Sequence, residues 1–315
     1  MALVSQLKRW FLGTDLPNEY LCIRANSLPD ALRAMLVLGD VRIDVTEHHF
    51  LLGYKPLLIG VSAFQGREVP EVKEATLSLL TRSGHEVASL DLLQVKRTRF
   101  GDDALSVFEG THGRHEFLSR LHRTLNRMYE SRKAKPAANI ELDPNLYEQV
   151  RIGYAHPRVI AVISLGEDER FNFFPTDLHG SLGERHYASS LRVGGKACDQ
   201  VQQLKRLVIS TVNASSYRAT YGLGKNHMRE LQGVENFEVA AFRSATFDLP
   251  LPRDVLGYRE LERIGGFDAG IHRIHFYETV RHVTHPQEGA ALAHVHRYYA
   301  QWRVDHGLPV PLLLR

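Results

Sequence analysis

Cysteine is almost absent from this chain. Its 315 residues hold only Cys22 and Cys198, far apart and without CxxC spacing, so neither a disulfide framework nor a thiolate metal site is indicated, and a reducing, cytoplasmic setting is expected. Long apolar runs are missing too. Near the N-terminus Leu3, Trp10, Phe11 and Leu12 are interrupted by Lys8 and Arg9, with no small-residue cleavage site after them, so no export signal or membrane span is expected. Charge of one sign is also lacking. The 39 Lys and Arg against 36 Asp and Glu leave a net charge of +3, and the basic residues are scattered, which argues against a nucleic-acid surface. The GxSxG elbow of hydrolases and the HExxH pair of zinc proteases do not occur.

Histidine is plentiful, yet its spacing excludes ready-made chelates. His272 and His275, or His282 and His285, fall on opposite faces of a strand, and His294 and His296 on different faces of a helix. These are read as structural or surface histidines, and no metal is expected. With 43% hydrophobic and 24% charged residues, the chain has ample material for a globular core. Its length favours two domains.

Residues 1–140 are read as an N-terminal α+β domain of unknown role. Ser27-Leu28-Pro29-Asp30 offers a cap and an early proline before Ala31 to Leu36, a helix start. Val69-Pro70-Glu71 opens a second helix through Leu80, and Phe117 to Tyr129 carries apolar residues at the spacing of one helix face. Pro56 to Val61 reads as a buried strand, and Val87 to Phe108 as a hairpin turning near Gly101-Asp102-Asp103. Charge, proline and small residues from Ser131 to Asn139 mark the boundary. Residues 141–315 are strand-dominated, with candidates at Val159 to Ser164, Leu207 to Val212, Phe237 to Phe242 and Ile271 to Tyr277. Helices are expected from about Ala197 to Lys205 and from Gly289 to Arg303.

The most telling stretch runs from Asn172 to Lys196. Asn172-Phe173-Phe174-Pro175-Thr176 returns from a turn at Gly166-Glu167-Asp168 and could present amides and a hydroxyl to a planar heterocycle at a sheet margin, or be an ordinary hairpin. Ser189-Ser190-Leu191-Arg192-Val193-Gly194-Gly195-Lys196 then precedes a helix start, where free N–H groups and the helix dipole favour an anion. Arg192 can grip a phosphate with its fork and Lys196 can add a point charge. The spacing is not that of a Walker loop. Gly224-Lys225-Asn226-His227 is either a second polar edge of the pocket or a plain loop.

Taken in order, these segments resemble the flavin reductase-like family of FMN-binding split β-barrels, over about residues 145–285. His156 to Ile163 is similar to the first barrel strand, and Asn172 to Thr176 to the strand that lines the flavin. Ser189-Ser190-Leu191-Arg192 with Lys196 is similar to the segment at the flavin edge and phosphate, and Lys205 to Ser210 to the helix-to-strand passage after it. Gly270-Ile271-His272 stands where many members have Gly-Asp-His, a motif linked to nicotinamide use. Ile271 replaces the acid, although Asp268 lies nearby.

The resemblance implies a C-terminal split β-barrel binding FMN, preceded by the separate α+β domain. Thr176, Ser189, Ser190, Arg192 and Lys196 would contact the phosphate and ribityl side. Asn172, Phe173, Phe174, Pro175 and Leu191 would lie nearer the ring, with His272 close to the reacting face as the catalytic candidate. It further implies an oxidoreductase passing hydride or electrons through FMN, supplied by NAD(P)H or a protein donor, and a homodimer. The alternative is a non-catalytic FMN-binding or sensing protein whose N-terminal domain engages a partner, which Ile271 favours.

Overall fold

The structure is a computed structural model that describes residues 2–16, 18–25, 32–63, 69–131, 142–285, 289–310 and 312. The chain begins with α1 (Ala2–Leu12) and β1 (Tyr20–Arg24). There follow β2 (Leu32–Leu38), β3 (Val41–Asp44), β4 (His49–Tyr54), β5 (Leu57–Ser62), β6 (Glu74–Thr81), β7 (Glu86–Phe100) and β8 (Asp103–His115). These form one seven-stranded antiparallel sheet in the order β3-β2-β6-β7-β8-β5-β4. The β7–β8 hairpin turns at Gly101, where the backbone is left-handed with φ 60°, as expected from its sequence.

Two expected helices are strands. In β2 the buried residues are Leu32, Ala34, Leu36 and Leu38, and in β6 Ala75, Leu77 and Leu79 are buried at the same spacing of two. That is the period of a sheet face. The Pro-Asp and Pro-Glu start signals pointed the wrong way because they mark a chain turn as readily as a helix start. The cap at Ser27 to Asp30 lies outside the described residues, as does the expected boundary beyond Ser131. Helix α2 (Arg120–Ser131) starts three residues later than expected.

After α3 (Pro144–Gly153), capped by the Asp143 carboxylate accepting from Leu146 N–H, come β9 (Arg158–Val159), β10 (Ala161–Glu167), β11 (Arg170–Thr176), β12 (His179–Ser181) and β13 (His186–Arg192). Then follow α4 (Lys196–Leu204), β14 (Arg206–Val212), α5 (Tyr217–Gly222), β15 (Gln232–Gly233), β16 (Val239–Arg243), β17 (Pro250–Pro252), β18 (Val255–Ala269), β19 (His272–Thr284), β20 (Leu292–His296) and α6 (Arg297–Asp305). An eight-stranded sheet runs β12-β13-β19-β18-β14-β10-β11-β15. The helix expected over Gly289 to Arg303 is a strand in its first half. β20 pairs with β1 on one side and β9 on the other, partners far away in sequence that no local pattern announces.

The halves are stitched together in two places. β1 and β20 place the N-terminal and C-terminal segments side by side, and one core joins Leu36, Leu77 and Leu90 of the first sheet to Val150, Ala293, Tyr298 and Trp302. A second cluster packs Phe50, Leu52, Leu58 and Leu105 against Leu182, Ala188, Ile274 and Phe276. This second contact brings the tip of the β4–β5 hairpin to the start of β19, where the site lies.

Candidate functional site

A cavity of about 290 Å³ opens where six segments converge. β11 ends with Pro175 and Thr176 and runs on into Asp177 and Leu178, while β13 ends with Ser190, Leu191 and Arg192. The first turn of α4 contributes Gly195, Ala197 and Cys198, and the short 3₁₀ segment Leu223–Met228 contributes His227 and Met228. His272 opens β19 directly opposite Arg192 in the strand register, and Tyr54 comes from β4. Gly194, with φ 80°, lets the chain reverse after β13, and Gly195 caps α4.

One side suits an anion. Ser190 Oγ is buried and has no hydrogen-bond partner among the described residues. Thr176 Oγ1 accepts from Leu178 N–H at 3.2 Å, which leaves its own O–H available. Arg192 is exposed and makes no ion pair among the described residues. The first turn of α4, with its free N–H groups, faces the same space.

The other charges at the cavity cancel or are absent. Burial, with the Arg192 guanidinium, lowers His272 to about 4, and burial likewise lowers His227, whose Nε2 lies 2.8 Å from the Pro175 carbonyl. Both imidazoles are therefore neutral near pH 7. Asp177 is paired with His294, Nδ1 to Oδ2 2.8 Å. Arg192 remains the one unpaired charge on the wall among the described residues.

Cys198 lies 3.8 Å from His275 Nε2, a separation that suggests a nucleophilic pair. Arg263 Nε, however, donates to His275 Nδ1 at 3.0 Å, so the imidazole proton sits on Nε2 and the ring cannot take the thiol proton. Burial pushes the Cys198 thiol up. Among the described residues no three His, Cys, Asp or Glu side chains come together as a metal ion requires.

Of the residues singled out in sequence, the cavity brings together Pro175, Thr176, Ser190, Leu191, Arg192 and His272. It does not gather the rest. Asn172 Nδ2 donates to Gln200 Oε1 at 2.7 Å inside the protein. Phe173 packs against Phe237 with ring centroids 4.7 Å apart, while Phe174 lies in the core beneath α4. Ser189 Oγ meets Tyr277 Oη at 2.8 Å, and Lys196 is exposed and paired with Glu230 at 2.5 Å. Sequence reasoning left His227 open and missed Tyr54, Asp177 and Met228. Asp177 directly follows Thr176, but an acid beside an anion cradle gives no local signal that a histidine 117 residues away neutralises it.

Tyr54 shows that the N-terminal half forms part of the wall. Its ring meets His272 edge-on at 4.5 Å, its N–H lies 3.4 Å from His272 Nε2, and Ile271 N–H donates to the Lys55 carbonyl at 3.1 Å. Gly270 makes this fit possible. Its φ is 59°, and a Cβ there would sit 2.2 Å from the Lys55 oxygen. Gly270→Ala is expected to destabilise the protein by at least about 2 kcal/mol, the sum of left-handed strain and the clash, seen as a lower thermal midpoint; an unchanged midpoint would show that the turn is not seated there.

No helix among the described residues is long and apolar enough to cross a membrane. No family model matches the chain, and no curated protein matches it in sequence. Solved structures that it resembles include a Streptomyces globisporus NADH:FAD oxidoreductase, at 14% identity and TM-score 0.42, over 50% of this chain and 94% of that one. Another is the flavin reductase component of a bacterial two-component tryptophan halogenase, at 16% identity and TM-score 0.42, over 48% and 94%. A third is an FMN-binding protein from Thermus thermophilus, at 18% identity and TM-score 0.39, over 51% and 90%. Over about half its length, then, the chain is similar to flavin reductases and to an FMN-binding protein.

Proposed function

We propose that the cavity binds FMN by its phosphate and that the protein is a flavoprotein oxidoreductase. The observation that carries this reading is the meeting of an unpaired Arg192, a buried and unpartnered Ser190 hydroxyl and the first turn of α4 at one wall. Such a donor set is what a phosphate monoester requires. Pro175, Leu178, Leu191 and Met228 provide an apolar surface beside it for a ring. When bound, the flavin supplies the hydride or electron transfer.

The chain's own residues set the conditions. Arg192 and the α4 N-terminus hold the anion, Thr176 and Ser190 orient it, and neutral His272 with Tyr54 forms a wall at the strand end. Purified protein is expected to be yellow, or to turn so with added FMN. An absorbance spectrum with no bound flavin in either case would reject the cofactor.

One observation favours the alternative, an FMN-binding protein without NAD(P)H turnover. The Tyr54 to Pro56 turn is hydrogen-bonded over Ile271 and set edge-on against His272, where the family resemblance would have a nicotinamide approach. Anaerobic mixing with NADH or NADPH separates the two: bleaching of the flavin band supports the reductase, and an unbleached band supports the binding protein. The homodimer implied by the resemblance belongs to the same proposal and is checked by sedimentation.

A further inference from the structure

Asp177 lies on the cavity wall and its Oδ2 accepts two hydrogen bonds, from Tyr154 Oη at 2.9 Å and from His294 Nδ1 at 2.8 Å. On its far side the imidazole Nε2 contacts the Tyr221 hydroxyl, which in turn lies 3.0 Å from Cys22 Sγ. His294 sits in the middle strand of the three-stranded sheet, paired across to Cys22 and Arg158. The ring is thus held on both nitrogens, while Asp177, which it serves, lines the cavity and keeps part of its side chain exposed. A purely structural ion pair has no need of that second exposure.

We propose that the Asp177–His294 pair is a proton store for the ligand in this cavity, giving up one proton when the ligand is reduced and taking it back when it is oxidised. This rests on the cavity being the flavin site. In the forward direction the N–H bond at His294 Nδ1 breaks and Asp177 receives the proton. The carboxyl then releases one proton to the ligand, and His294 is left neutral with its remaining proton on Nε2, donated to Tyr221. One proton leaves the pair and one reaches the ligand, no electrons pass through the side chains, and reoxidation reverses each step.

Elimination leaves His294 as the source. Burial raises the phenols Tyr20, Tyr54, Tyr154 and Tyr221 around the pair, so all keep their protons. Burial lowers His179 and His227, so these rings have no extra proton to give. Arg158 is engaged with the Gly153 carbonyl at 2.8 Å and with His49. For His294, burial works against protonation, but the hydrogen bond and charge of Asp177, with a contribution from Cys22, overcome it and raise the ring to about 9.

The test is the number of protons drawn from weakly buffered solution when FMN on the full-length protein is reduced at an electrode through a viologen mediator at pH 7.5. Wild type is expected to draw close to none, and His294→Gln about one per flavin. ¹⁵N spectra of His294 in the wild type should pass from cation to neutral ring on the same reduction. A wild type that draws one proton per flavin, with His294 still cationic, overturns the proton store and leaves the flavin site standing. A wild type that holds no FMN overturns the flavin reading and the proton store together.

Discussion

Arg192→Ala should weaken FMN binding about 100-fold, while Lys196→Ala should change it by no more than about twofold, both read by fluorescence titration. A hydrogen bond to a charged group contributes about 1.5–3 kcal/mol, and about 1.4 kcal/mol is tenfold in affinity. Arg192 offers a guanidinium fork and the only unpaired charge on the wall among the described residues, so its loss removes a charge-assisted contact for which no neighbour substitutes. Lys196 stands one residue past the Gly195 cap, in solvent, and already has Glu230 as its partner at 2.5 Å. Ser190→Ala should fall between them, at about tenfold, because it removes one buried hydroxyl. Equal losses from Arg192→Ala and Lys196→Ala would reject this division of labour.

In sequence Arg192 and Lys196 look alike: two cations beside two glycines before a helix. Only the direction of the chain after Gly194 separates them, and that depends on which strand β13 pairs with. The same limit explains other differences. Asn172 to Phe174 were legible as strand residues and Ser189 as part of a loop before a helix, but Ser189 lies in β13, and which faces meet the cavity is set by the distant α4 and by Tyr277. Alternation was present in the sequence of β6, where Ala75, Leu77 and Leu79 are separated by Thr76 and Ser78, but β2 is apolar from Ala34 to Leu38 and shows none, and helix-start signals beside both pointed the other way. Tyr54 and His294 could not have been found locally. Each becomes part of the site through pairing with a segment more than 100 residues away, Tyr54 with His272 and His294 with Asp177.

Those long-range seams make a strong prediction about stability. Glu148 on α3 is buried, accepting from His115 Nε2 at 2.7 Å and from Arg151 Nη1 at 3.0 Å. Arg151 also faces Glu19 at 3.9 Å and lies 4.8 Å above the Tyr298 ring, so one guanidinium ties α3 to the segment before β1 and to α6. Burial by itself would raise the Glu148 carboxyl, but the His115 hydrogen bond and the Arg151 charge outweigh it and hold it at about 2, below its ordinary 4.5. A depressed carboxylate gives stability that is fully present above the unfolded value and is lost as pH falls through the folded one. The contribution should therefore be intact at pH 7 and decline from about pH 5 toward pH 2. Glu148→Ala leaves a buried guanidinium with a more distant partner, and breaking a buried pair in this way costs about 3–5 kcal/mol. Urea unfolding should show a loss of about 3 kcal/mol at pH 7 and a much smaller one near pH 2.5, since the wild-type carboxylate is by then partly protonated. A loss below about 1 kcal/mol, the same at both pH values, would mean that apolar packing alone holds the seam and that Arg151 is adequately served by Glu19.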